Sequence, residues 1–315
     1  MTDAQQQGDP VHPLVTGQTR GSAPAATRER VGFSLSRVGI IAGNTLTEAT
    51  RQKVFIIILL IGLVFIALAV FLAQFSFEEQ LKFIKDTCLG VISVISTLIA
   101  ITGTAQLLPN EVEHRTIYTI LAKPVRRFEF LLGKFLGSLF LLGLSILAMC
   151  LLFGAVLFIK EQGMIRELRE DYGQNVPAAQ VADMNAQIQQ ITKSALDVDL
   201  VKAVLADATK ATLVAAVTLL ISTFSTSLVF NVIVPFMIFV AGMLRGAAVE
   251  VWGGHKLLMA LLAVLPDFGL FNIADEINLG NVVPWAHIGG IIGYGLVRTL
   301  VIVIAAHLIF SRREI

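Results

Sequence analysis

The stretch Val54-Phe-Ile-Ile-Ile-Leu-Leu-Ile-Gly-Leu-Val-Phe-Ile-Ala-Leu-Ala-Val-Phe-Leu-Ala-Gln-Phe75 contains no charged side chain. About 20 apolar residues in a helix cross the hydrocarbon core of a bilayer, so this run reads as a membrane span. Working outward, Cys88–Leu108 and Phe135–Ile159 are further runs of the same kind, and Pro284–Phe310 is the last. Between them, Ala211–Phe224 and Leu228–Leu244 are apolar and separated by Ser225, Thr226 and Ser227. A single helix over 211–244 would be about 51 Å long, too long for one crossing, so two spans with a tight turn are expected. The first of the two is short and is expected to start near 206, bringing Asp207 and Lys210 into its outer end. The segment Leu257–Leu265 is too short to cross and reads as interfacial or re-entrant, ended by Pro266.

Composition agrees. Of 315 residues, 55% are hydrophobic and 15% charged, and the mean hydropathy is +0.77. Soluble domains have about 45–50% apolar and about 25% charged residues. A net charge of +1 gives no footprint for nucleic acid. Cys88 and Cys150 lie inside apolar runs and read as small packing residues. The fold class expected is therefore all-α: a polytopic membrane protein with about six transmembrane helices, over 54–75, 88–108, 135–159, 206–224, 228–244 and 284–310.

The excess of Lys and Arg on one side of the spans sets orientation. The N-terminal segment, the connection 109–134 and the C-terminus carry thirteen basic and eight acidic groups, whereas the opposite face carries ten basic and fifteen acidic ones. Both termini are thus expected in the cytoplasm, in a cell (inner) membrane. Residues 1–30 are polar, with Gln5-Gln6-Gln7 and scattered Gly, Pro and Thr, and read as a disordered cytoplasmic tail. In 33–51, Phe33, Leu35, Val38, Ile41, Thr45, Leu46 and Ala49 recur at spacings near three and four. This reads as an amphipathic helix in the inner interface. On the outer face, 160–205 has sparse apolar residues at roughly helical spacing, which reads as a helical external excursion rather than a folded enzyme domain.

The connection Pro109-Asn-Glu-Val-Glu-His-Arg-Thr-Ile-Tyr-Thr-Ile-Leu-Ala-Lys-Pro-Val-Arg-Arg-Phe-Glu-Phe-Leu-Leu-Gly-Lys134 carries most of the functional information. Glu111 and Glu113 are followed by Thr116 and a short apolar helix over 117–121, which Pro124 breaks. Arg126, Arg127 and Lys134 complete it. Acid at the start and base at the end suit the dipole of a short surface helix. On these grounds alone the stretch is either a capped interfacial helix on a positive-inside loop or one that docks into a cytoplasmic partner and passes its push to both adjoining spans.

This block resembles the most recognisable part of ABC-2-type transporter permeases. There, an E-x-E pair precedes a Thr, a Lys/Arg-Pro-Val-x-Arg step follows, and Gly-Lys leads into the next span. The matching residues here are Glu111, Glu113, Thr116, Lys123-Pro124-Val125, Arg127 and Gly133-Lys134. Asn44–Lys53 and the basic tail 310–315 are also similar to those permeases, whereas the long external segment and the long polar tail depart from them. The resemblance implies a coupling helix at Glu111, Glu113, Thr116 and Pro124, and Arg126 and Arg127 against headgroups or a partner. It also implies an ABC ATPase subunit as partner, a second permease copy or paralogue, and membrane lipid around both. No cofactor is expected in this chain; ATP and Mg would sit on the partner subunit.

The chain is not expected to be an enzyme. Gly133-Lys134 is no P-loop, since Gly-x4-Gly-Lys-Ser/Thr is required and Phe128 and Phe135 stand where Gly and Ser/Thr belong. The five histidines lack metal-ligand spacing. Arg298 lies inside the last span, where a charge faces a protein interior or a water-filled cavity; a structural ion pair and a place on a translocation path are both open. Gly289-x3-Gly293, Gly295 and Gly133-x3-Gly137 read as sites of close helix packing. Few charges line the spans, which favours an amphipathic or lipid-like substrate for an exporter. The rival readings are a mechanotransmitting subunit acting on an external partner through 160–209, and an ATP-independent transporter, which inverted repeats would mark and none are seen.

Overall fold

The computed structural model describes residues 33–73, 80–109, 126–172, 178–195, 198–252, 264–278 and 283–312. They form helices: α1 (Leu35–Thr50), α2 (Lys53–Ala73), α3 (Gln80–Ala105), α4 (Arg127–Tyr172), α5 (Ala178–Ala195), α6 (Val198–Phe224), α7 (Leu228–Met243), α8 (Arg245–Trp252), α9 (Ala274–Asn278) and α10 (Trp285–Arg312), with one 3-10 turn at Gly269–Phe271. No strand occurs among the described residues. The chain is a helical membrane protein: α2, α3, α4, α6 and α10 are each long and apolar enough to cross a bilayer.

Whether there are five spans or six turns on α7 and α8. Only taken together are they long enough, and they bend by 52° at Leu244. Within α7, Pro235 is buried and has no N–H to give to the carbonyl of Asn231. The turn expected at 225–227 is present, with Ser227 as N-cap of α7, its hydroxyl accepting from the Phe230 N–H. The residues 257–263 of the short apolar segment, the tail 1–32 and 110–125 lie outside the described residues.

The third span is longer than its sequence signal. α4 begins at Arg127, so residues 127–134, read as part of the connection, are its first two turns. It then continues unbroken past Ile159 to Tyr172. Its 46 residues extend about 69 Å, more than twice the hydrocarbon thickness of about 30 Å. From Lys160 onward the helix is charged (Lys160, Glu161, Arg166, Glu167, Arg169, Glu170, Asp171), and α5 folds back beside it, largely exposed. The described part of the segment 160–205 is thus helical, and its first helix grows directly out of a span.

α6 sits at the centre, 72% of its apolar stretch buried, against 22% for α2 and 28% for α10. α6 packs against α3 and α10, and α3 against α2 and α4. The exposed side of α2 is Ile, Leu, Val and Phe almost throughout, and that of α10 is Leu, Val and Ile from Leu296 to Ile309, as a bilayer-facing surface requires.

Candidate functional site

Of the residues singled out in the connection, Glu111, Glu113, Thr116 and Pro124 lie outside the described residues; Arg126 and Arg127 are described. What the structure does show is how the connection is anchored. On one side Leu107 and Leu108 are buried beyond the end of α3. On the other, Arg126 precedes α4 and its backbone N–H donates to Glu129 Oε2 at 3.4 Å. A carboxylate in the first helical turn reaching back to the N–H of the residue before the helix is one half of a capping box.

Glu129 does more than cap its own helix. It is fully buried, and its Oε1 accepts the N–H of Ser34 at 2.8 Å. Ser34 is the N-cap of α1 and makes no cap bond with its own side chain. One carboxylate thus satisfies the N–H of the residue that precedes each of two helices, where both helix dipoles favour negative charge. Arg37 Nη2, one turn into α1, lies 3.5 Å from the same Oε1. A second tie follows along the interface, Lys134 Nζ to Glu48 Oε2 at 3.4 Å.

Between these two ties the helices nearly touch. A Cβ on Gly133 would stand 2.8 Å from Ile41 Cβ, and one on Gly137 would stand 2.5 Å from Thr45 Cβ and 2.8 Å from the Ala42 carbonyl. The small-xxx-small spacing therefore serves close packing, as read from the sequence, and its partner is α1. The other glycine series does not behave so. A Cβ on Gly289 or Gly293 would meet nothing within 4 Å; only Gly295 is in close contact, against Thr209 and Phe271.

The same end of the bundle gathers the C-terminus of α10. Arg127 Nη1 donates to the Ser311 carbonyl at 3.0 Å, a cation on a carbonyl of the last turn. Phe128 meets His307 edge-on at 5.0 Å, and Phe130 stacks on Phe310 at 6.4 Å. α1, the start of α4 and the end of α10 are thereby joined where the connection 110–125 enters.

From the start of α6 to its middle stand charges whose role the sequence reading missed. α6 carries Asp-x-x-Lys twice, eight residues apart: Asp199 pairs with Lys202, and Asp207 with Lys210 at 2.6 Å. All four are buried. Lys202 Nζ also donates to the Val283 carbonyl at 2.7 Å and lies over the Trp285 ring, fastening the start of α10. Lys210 donates to Ser93 Oγ on α3. The doubled Asp-x-x-Lys, at helical spacing in an otherwise apolar run, was the available signal.

Arg298 is half-buried, its guanidinium 5.6 Å from the Tyr294 ring. The Tyr294 hydroxyl in turn accepts the Asp267 N–H at 3.0 Å, tying α10 to the segment 266–271. No group of three or more His, Cys, Asp or Glu able to hold a metal occurs among the described residues. In comparisons with known proteins, no family model matches this chain and no curated protein does.

Proposed function

We propose that this chain is the membrane-spanning subunit of an ATP-driven exporter of the ABC-2 type, driven through 110–125 by a separate ATPase chain. The observation that carries the reading is the anchored frame around that connection. Buried Glu129, Arg37, the Gly133/Gly137 contact and Arg127 join α1, α4 and α10 at one end, and α3 leads into the connection on its other side. A push delivered there by a partner would move several helices as one body, which a mere capped surface loop does not need. The motif from Glu111 to Lys134 names the class of partner. On this reading Glu111, Glu113, Thr116 and Pro124 form the docking helix, both termini face the cytoplasm of a cell membrane, α1 lies at the inner interface, and two permease copies pair.

The test is co-purification in mild detergent, reading ATPase activity. The wild-type chain should bring down an ATPase. The Glu111→Lys/Glu113→Lys variant, still monodisperse, should lose it. A wild type that brings down no ATPase defeats the proposal.

One observation favours a second reading, a subunit that works on an external partner. The charged extension of α4 continues its span without a break, so one helix links the span to Tyr172. Removing 164–195 with a short linker while retaining export would exclude it.

A further inference from the structure

Where α4 meets α6 runs an apolar groove of about 520 Å³. Its walls include Leu147, Leu157, Val201 and Leu205, and no charged side chain lines it among the described residues. Leu147, Val201 and Leu205 are also exposed, so the groove opens on the surface that faces the bilayer. Two glycines hollow it out. Gly143 and Gly154 stand eleven residues apart, about three turns, and so share one face of α4. A Cβ on either would meet nothing within 4 Å. Unlike Gly133 and Gly137, they bring no helix close. From Gly143 to Leu157 the groove follows α4 for about 21 Å, longer than the roughly 15 Å of hydrocarbon in one leaflet. An acyl chain can lie along it at full length.

The groove ends at a carboxylate. Glu161 follows Gly154 by seven residues and Leu157 by four, which puts it on the same face, one turn further on. Side chains of a helix lean toward its N-terminus, here back toward the groove. Glu161 is only 5% exposed, yet it makes no hydrogen bond or ion pair with any described residue. Lys202, near the start of α6, is held by Asp199 and the Val283 carbonyl. Lys82 and Lys85, near the start of α3, have partners of their own, and Arg166 and Lys193 are exposed. Lys160 projects about 100° away round the helix and is half-buried.

A buried carboxylate without a partner is costly, and a bound cation offsets that cost. The apolar run of α4 ends at Ile159, so Glu161 stands at the level of the lipid headgroups. We infer that the groove binds a membrane phospholipid with an ammonium headgroup, one acyl chain lying between α4 and α6 and the ammonium donating to Glu161. Lys160, at the same level, suits the phosphate of that headgroup. An anionic headgroup would leave Glu161 unpaired and repelled. Nothing in this depends on an ATPase partner.

The test uses the full-length chain in a non-ionic detergent, offered equal amounts of phosphatidylethanolamine and phosphatidylglycerol with identical chains. Bound lipid is counted by native mass spectrometry. The two lipids share the phosphate and differ in the ammonium. Wild type should retain phosphatidylethanolamine about tenfold better, as a hydrogen bond to a charged group allows. Glu161→Gln should abolish that preference while melting no lower than wild type without lipid, since it removes an unpaired charge. Gly154→Leu fills the groove and should abolish the preference as well. Equal retention by wild type, or a preference that survives Glu161→Gln, overturns the headgroup contact. A preference that survives Gly154→Leu overturns the groove as the seat of the chain, and a dimer that this variant splits instead gives the groove to a second copy.

Discussion

Replacing Glu129 with Ala should free α1 from the bundle without unfolding the rest. The carboxylate is fully buried and accepts two backbone N–H groups, from Ser34 at 2.8 Å and Arg126 at 3.4 Å. A hydrogen bond to a charged group contributes about 1.5–3 kcal/mol; the short bond to Ser34 is credited with about 2 and the long one with little. The charge at the start of α1 adds about 0.5 kcal/mol through the dipole, and the part-exposed pair with Arg37 about 0.5. The loss is about 3 kcal/mol in the docking of α1, or roughly a hundredfold in its opening equilibrium. Hydrogen exchange read by mass spectrometry over 35–50 measures this opening. Amides of α1 should exchange about a hundredfold faster in Glu129→Ala, with α3 and α6 unchanged. Glu48→Ala, removing a carboxylate that is 49% exposed, should change α1 by less than about fivefold. Exchange in α1 that stays within about threefold of wild type in Glu129→Ala would refute the two-helix cap.

The interface between the two ties should be as intolerant of volume. Gly137→Leu forces α1 and α4 apart and should destabilise their contact by about 1–3 kcal/mol or more, seen as faster α1 exchange, whereas Gly143→Ala, with open space around it, should leave exchange unaltered. In α6, Lys210→Met strands the Asp207 carboxylate in a buried site and should cost about 3–5 kcal/mol. The double variant Asp207→Leu/Lys210→Met should recover most of that loss; a detergent thermal-stability assay in which the double is as unstable as the single would contradict the pairing.

How much of this could be read from the sequence depended on which physical signal each part carries. Spans are written in long apolar runs, and the turn at Ser225–Ser227 in a break of that run, so α2 and α10 were legible nearly to the residue. By contrast, α3 and α6 each begin eight residues before the expected start, at Gln80 and Val198, because charged residues there hide a helix that the apolar run does not mark. The extent of α4 was not. Its apolar signal ends at Ile159, but a helix continues for as long as its backbone can, and Lys160–Tyr172 contains no proline to stop it. The bend at Leu244 carries no strong local mark. At the candidate site, Gly133 and Gly137 announced a close contact, yet nothing local says that α1 fills it rather than another span. Glu129 was harder still. Beside Arg126 and Arg127 it reads as one more charge of a surface loop, and its burial arises only when Ser34, far away in sequence, is brought to it. Asp207 and Lys210 read as the outer end of a span, and Asp199 and Lys202 as part of the external segment; a pair at i and i+3 can neutralise itself, which lets all four sink into the core.

The most direct test of ATP-driven coupling is a photo-crosslinking amino acid at Thr116 of the full-length chain in native membranes, with adducts identified by mass spectrometry. If 110–125 docks a nucleotide-binding subunit, irradiation gives an adduct with an ATPase, and the Glu111→Lys/Glu113→Lys background removes it. Adducts only with lipid, in membranes where the chain is inserted and intact, would contradict the coupling role and return the connection to an interfacial helix.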